Sequence, residues 1–147
     1  MAKQIRGVVS VLSTPFDQYE KIAHEDIARQ VEAAVVFGIS GVCLPAYASE
    51  FYKLSGKERL AVVKTAVDAS RGRIAVVGQS NHPSARQAAS LAKGNAEAGA
   101  DLISFAIPRQ FAAYERDILD YCSTICNAVD LPVLVQDFNP GGATVGP

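Results

Sequence analysis

The feature that most constrains this chain is a repeat. Short apolar runs alternate with longer amphipathic stretches, and the pair recurs roughly every 30 residues. The apolar runs lie at Val8 to Leu12, Gly41 to Leu44, Ile74 to Gly78, Leu102 to Ile107 and Pro132 to Gln136. Each is too short for a helix and lacks strict apolar/polar alternation, as expected of parallel strands covered on both faces. Between them, apolar residues fall at helical spacing: Ile27, Val31, Ala34 and Val35 form one stripe, and Ile118, Cys122, Ile125, Cys126 and Val129 another. Ser55 with Glu58, and Ser84 with Gln87, fit the capping box, in which two side chains satisfy N–H groups orphaned at a helix start. Gly38, Gly72 and Gly99 stand where the helices should close.

A strand, a helix and a parallel strand connect right-handedly, and repeating the step yields an open doubly wound sheet or a closed barrel. The pattern alone does not choose between them. A dinucleotide-binding sheet is disfavoured, because Ser13-Thr14-Pro15-Phe16 follows the first strand where that fold needs GxGxxG. The length of 147 residues suits a single domain over 1–147, and 49% apolar with 20% charged residues is an ordinary globular balance. Fourteen basic residues against fifteen acidic leave no surplus to neutralise phosphates, so nucleic acid is not an expected partner. No apolar run approaches the roughly 18–20 residues of a membrane span, and Met1 to Arg6 carries no apolar signal segment. A cytoplasmic chain without a membrane partner is therefore expected. Cys43, Cys122 and Cys126 form no CxxC pair, which indicates neither a disulfide framework nor a zinc site; no metal or cofactor is expected. Cys122 and Cys126, one turn apart, are expected to pack in the core.

Six motifs stand in a recognisable order. They are Gly7 to Phe16, where a strand meets Thr14-Pro15-Phe16; Ala46 to Glu50 followed by Leu54-Ser55 and Glu58-Arg59; Ile74 to Gln79; Ala98 to Asp101; Pro108; and Asp130 to Val133. In order and spacing the chain resembles the dihydrodipicolinate synthase/N-acetylneuraminate lyase family over nearly its whole length. The resemblance implies a (β/α)8 TIM barrel, present here as a partial barrel of about five parallel strands and four helices. Its site would lie at the carboxyl ends of the strands. Family members attack pyruvate or another 2-oxo acid with a lysine on the sixth strand. The imine formed is an electron sink for making or breaking a C–C bond, and the attacking amine must be deprotonated. A fifth-strand tyrosine relays protons with a threonine of the second-strand loop and a tyrosine of a neighbouring subunit, which implies a homo-oligomer.

Against that pattern the chain departs at several places. Its last residues, Asn139 to Pro147, follow the fifth strand, so the sixth-strand lysine is not assigned and this chain alone is expected to be inactive. Lys53, Lys57, Lys64 and Lys93 fall in a loop or on outer helices and are expected in solvent. Tyr47 and Ala48 stand where the family has two threonines, Gln136 and Asp137 where it has the relay tyrosine and its successor, and Arg109 and Gln110 where it usually has two tyrosines. Gln136 can hydrogen-bond but cannot titrate near neutrality. The catalytic candidates are thus Gln136 and Asp137, the latter either replacing a lost acid function or capping the Asn139-Pro140-Gly141-Gly142 turn. The substrate-binding candidates are Thr14, Tyr47, Ala48, Ser49 and Gln79. Thr14 either faces the mouth or shapes its turn; Tyr47 either faces the site or packs. Gln79, Ser80, Asn81 and His82 precede a helix N-terminus, a place suited to an anion, although His82 is more simply a loop residue. Glu50 is expected to secure loop N–H groups, and His24 to lie at the surface. A second possibility is a non-catalytic half-barrel that self-associates to cover its unpaired edges.

Overall fold

The structure, a computed structural model, describes residues 5–108 and 114–137. Nine regular elements alternate: β1 (Val9–Val11), α1 (His24–Val36), β2 (Gly41–Leu44), α2 (Gly56–Ser70), β3 (Ala75–Gln79), α3 (Ala85–Glu97), β4 (Leu102–Ala106), α4 (Glu115–Cys126) and β5 (Val133–Gln136). A 3-10 turn, Phe51–Lys53, precedes α2. The strands form one sheet in chain order, with every neighbouring pair parallel. Val9 sits beside Gly41, Gly41 beside Ala75, Val77 beside Leu102 and Ile103 beside Val133.

Residues along each strand point alternately to two faces, and the two faces differ. Val42, Leu44, Val76, Ile103 and Phe105 join Ile27, Val31, Val62, Val63, Ala88, Ala92 and Ile125 of the helices in the main core. Cys43, Ala46 and Val77, with Val9 and Leu102 against them, form a smaller cluster on the opposite face. The helices therefore cover one face of the sheet, and the other is the concave interior of an arc of barrel. Gly78 lets α3 come close: a Cβ there would meet the Asn95 side chain at 2.8 Å, so any larger residue would push the helix off the strand.

Local signals mostly behave as expected. Ser55 caps α2, its hydroxyl accepting the Glu58 N–H while the Glu58 carboxylate accepts from the Ser55 N–H at 2.7 Å. Gly38, Gly72 and Gly99 adopt positive φ after their helices. Two expectations need correction. Ser84 is the N-cap of α3, but its side chain makes no capping bond; its own N–H instead donates to His82 Nδ1 at 2.9 Å. Cys126 is exposed rather than packed, while Cys122 is half-buried against the core. The stripe that joins them is narrower than its sequence spacing suggests, because α4 has α3 on one flank only. Among the described residues, no helix is long and apolar enough to cross a membrane.

Candidate active site

The carboxyl ends of parallel strands lie at one rim, so the residues following them are neighbours in space though far apart in sequence. After β2, the loop Pro45 to Glu50 folds over the strand end. Ser49 organises it: its buried hydroxyl accepts the Ala46 N–H at 2.9 Å and donates to the Leu12 carbonyl at the end of β1. Thr14 adds a second tie, donating to the Ser49 carbonyl at 2.7 Å. Both hydroxyl protons are thus committed to joining the first two loops, and toward any ligand these oxygens could only accept. Of the two possibilities for Thr14, shaping the turn is what its hydrogen bond does. Glu50 does not secure loop N–H groups; it adopts a left-handed conformation, and its carboxylate pairs with Lys53 at 2.7 Å.

Tyr47, Ala48, Gln136 and Asp137 come together. With Val11 and Ala46 they line a mouth of about 450 Å³ at the end of the barrel interior, which brings the second-strand loop to within reach of the fifth strand. Tyr47 is half-exposed and also packs edge-on against Phe51, with ring centroids 5.0 Å apart, so it faces the site and packs at once. Gln79 does not line the mouth. It lies beneath Gln136 and is 1% exposed, its Nε2 donating to Gln136 Oε1 at 3.0 Å and to Asn81 Oδ1 at 3.2 Å. Cys43 donates weakly to Gln79 Oε1 at 3.5 Å, and burial pushes this thiol up to about 11, so it stays protonated.

A second cleft of about 450 Å³ lies across Tyr47, between Phe51, Tyr52, Arg59, His82 and Pro108. Arg59 had no role in the sequence beyond its motif, yet it is buried. Nη1 donates to the Asn81 carbonyl at 2.8 Å and Nη2 to the Gln79 carbonyl at 3.1 Å, and the guanidinium lies 4.9 Å from the Phe51 ring centre. Burial lowers its pKa to about 10, which leaves it charged at neutral pH. The signal for this was its phase: Arg59, Val62, Val63 and Ala66 share the buried stripe of α2. His82 offers its carbonyl to Tyr121 Oη at 2.7 Å and its Nδ1 to Ser84, as a loop residue would. His24 is exposed, with Nδ1 2.7 Å from Thr65 Oγ1. Arg109, Gln110 and the turn after Asp137 lie outside the described residues. Among the described residues no group of three or more His, Cys, Asp or Glu side chains could hold a metal ion.

Comparison with known proteins gives this geometry its context. The model of the dihydrodipicolinate synthetase family matches residues 4–144. The chain belongs to that family. A 4-hydroxy-tetrahydrodipicolinate synthase of Bartonella quintana (strain Toulouse) is 30% identical over 141 residues, covering 96% of this chain and 48% of the relative. An N-acetylneuraminate lyase of Citrobacter koseri is 28% identical, covering 93% and 46%. The chain therefore spans about half the length of the curated relatives it matches. Among solved structures, YagE of E. coli K12, a prophage protein of the dihydrodipicolinic acid synthase family in complex with pyruvate, superposes with a TM-score of 0.86 at 25% identity. It is matched over 90% of this chain and 44% of its own. The five strands and four helices are thus part of a (β/α)8 barrel, with the mouth at their carboxyl ends.

Proposed function

We propose that this chain carries part of the active-site rim of a class I aldolase-type lyase or hydro-lyase acting on pyruvate or another 2-oxo acid. The observation that carries the reading is the convergence of Tyr47, Ala48, Gln136 and Asp137 on one mouth in a chain of this family. The presence of pyruvate in a structural neighbour supports the substrate class. In such a reaction a lysine amine attacks the keto carbon, a proton and hydroxide leave as water, and the resulting imine accepts the electron pair of the C–C bond being broken. The described lysines, Lys21, Lys53, Lys57, Lys64 and Lys93, are all exposed, and none lines the mouth. The amine is therefore not among these five, and the described residues alone supply no imine-forming group to the mouth. Incubation with pyruvate and borohydride, followed by mass spectrometry, tests this. Borohydride reduces any imine to a stable secondary amine; no adduct is expected on this chain, and one on any of the five lysines overturns the proposal.

A second reading, homo-oligomerisation of the half-barrel, is favoured by a separate observation. Apolar side chains are bare at both open edges: Val8 and Val11 at β1, Leu134 and Val135 at β5. Size-exclusion chromatography with light scattering should return an associated species, and a clean monomer rejects this reading.

A further inference from the structure

The polarity of Gln136 follows from a chain of hydrogen bonds that begins at a backbone group. The Ala106 N–H can only donate, and the Asn81 side chain lies 2.6 Å from it, so the atom facing Ala106 must be Oδ1. That same oxygen faces Gln79, whose contacting atom must therefore be the donor, Nε2. The opposite end of Gln79 is then its oxygen, which suits the protonated Cys43 thiol beside it. The second hydrogen of Gln79 Nε2 points at Gln136, so the atom there must accept, and it is Oε1. Turning Asn81 or Gln136 over sets donor against donor, and turning Gln79 over sets its oxygen against the oxygens of Asn81 and Gln136. Asn81 Nδ2 has no partner among the described residues, so it is the two bonds to Oδ1 that hold the orientation. What remains of Gln136 is its NH2 end, and Gln136 lines the mouth.

We infer that Gln136 is a hydrogen-bond donor to the ligand in the mouth, taking a carboxylate or carbonyl oxygen of a 2-oxo acid, and that Gln79 and Asn81 are positioning residues that fix its direction. The inference rests on the 2-oxo acid reading for the ligand, though not for the direction of the amide. It places a fixed donor that carries no exchangeable acid function at the position where the resemblance implies a titrating tyrosine. The relay joins β3, β4 and β5, and it needs a glutamine at 79 and an asparagine at 81 to pass polarity from a main-chain group to the rim.

The test is pyruvate binding to the full chain, followed by calorimetry or NMR, in wild type, Gln136→Met and Gln136→Glu. Methionine fills the space without a donor and should weaken binding roughly tenfold or more at any pH. An ionised glutamate keeps the bond from Gln79 but turns a negative oxygen to the mouth; it should weaken binding at least as much at about pH 7.5 and recover most of it by about pH 4.5, where the acid donates an O–H. Asp137 and Tyr47 line the same mouth and Cys43 lies below, so the wild-type profile over that pH range is the reference. A role confined to packing would not produce recovery in acid. Gln79→Met, which frees the amide of Gln136 to turn, should weaken binding several-fold. Wild-type affinity in Gln136→Glu at neutral pH overturns the inference. If wild type binds no 2-oxo acid, the substrate reading fails, and side-chain amide exchange still decides the direction. Rapid exchange at Gln136 with protection at Gln79 upholds the donor orientation; protection at Gln136 with rapid exchange at Gln79 overturns it.

Discussion

The two faces of the sheet are built from the same five strands and differ in how far this chain completes them. On the helix-covered face Phe105, Ile103, Leu44, Val42 and Val76 are fully buried, with four helices over them. On the concave face the middle is closed by Cys43 and Val77, but Val11 at one edge is 44% exposed and Leu134 at the other is 51% exposed. The helix side is therefore a finished core over the central strands, bare only toward the sheet edges at Val8 and Val135, and the barrel side is an unfinished one. Stability should come from the first, and ligand chemistry from the rim above the second.

Truncation separates the two faces most sharply. Phe105→Ala removes a buried ring that stacks edge-on against Tyr121 at 5.7 Å, and should cost about 3–5 kcal/mol in urea denaturation. Leu134→Ala, on the open face, should stay within about 0.5 kcal/mol. Equal losses would mean that the barrel side is sealed, most simply by another copy of the chain. Thiol chemistry probes the closed middle of the same face. Cys43 is buried, and its raised pKa leaves about a hundredfold less thiolate than an ordinary cysteine, whereas Cys126 is exposed. Iodoacetamide followed by peptide mapping should modify Cys126 first, half-buried Cys122 next, and Cys43 last by about a hundredfold or more. Early labelling of Cys43 would show that the concave face opens at its centre as well as its edges.

The helix side was legible in the sequence because its signals are local. Ile74 to Gly78 as a strand is displaced from Ala75–Gln79 by a single residue, and the Ser55 box forms as its spacing requires. Where a local signal failed, a neighbour had competed for one of its groups: His82 Nδ1 takes the Ser84 N–H that the Gln87 side chain would accept in a capping box, and the Ser84 hydroxyl makes no capping bond. The site was legible only in part. Tyr47, Ala48, Gln136 and Asp137 follow strand ends, which a parallel topology must gather at one rim. That Gln79 would hold Gln136 across 57 positions depends on two strands separated by a third, and no spacing encodes it. Thr14 and Ser49 look like ligands for a substrate, yet their protons go to main-chain carbonyls, Leu12 just past β1 and Ser49 in the loop after β2, that lie outside the strand ladder.

Arg59 sits where the two faces meet, its guanidinium closing the top of the helix-side core while holding the backbone of the polar relay. Arg59→Met keeps the aliphatic stem, removes the side-chain donor to the Asn81 carbonyl, and leaves the Gln79 carbonyl with Asn95 Nδ2 at 3.3 Å in place of two side-chain donors. A loss of about 1–3 kcal/mol is expected, again by urea denaturation. If the finished core is indifferent to the rim, the loss will be smaller than that, and the comparison between the faces will have to be drawn lower on the strands.

The smallest effect should come from a helix start remote from both the mouth and the core centre. Ser55→Ala removes the hydroxyl half of the α2 capping box and should cost about 1 kcal/mol at neutral pH. Its pH dependence has a definite sign. Hydrogen bonds from the Ser55 side chain and backbone hold the Glu58 carboxyl below its ordinary pKa. A carboxyl lowered in the folded state stabilises fully above its unfolded pKa, and that contribution fades as the pH falls through the lowered folded value. The gap between wild type and Ser55→Ala should therefore narrow on acidification, as read from denaturation midpoints at successive pH values. A gap that widened in acid would place the cap's energy in the neutral carboxyl instead. The substitution should leave pyruvate binding at the mouth unchanged, because Ser55 lies at the exposed start of α2 and contributes nothing to the relay that orients Gln136.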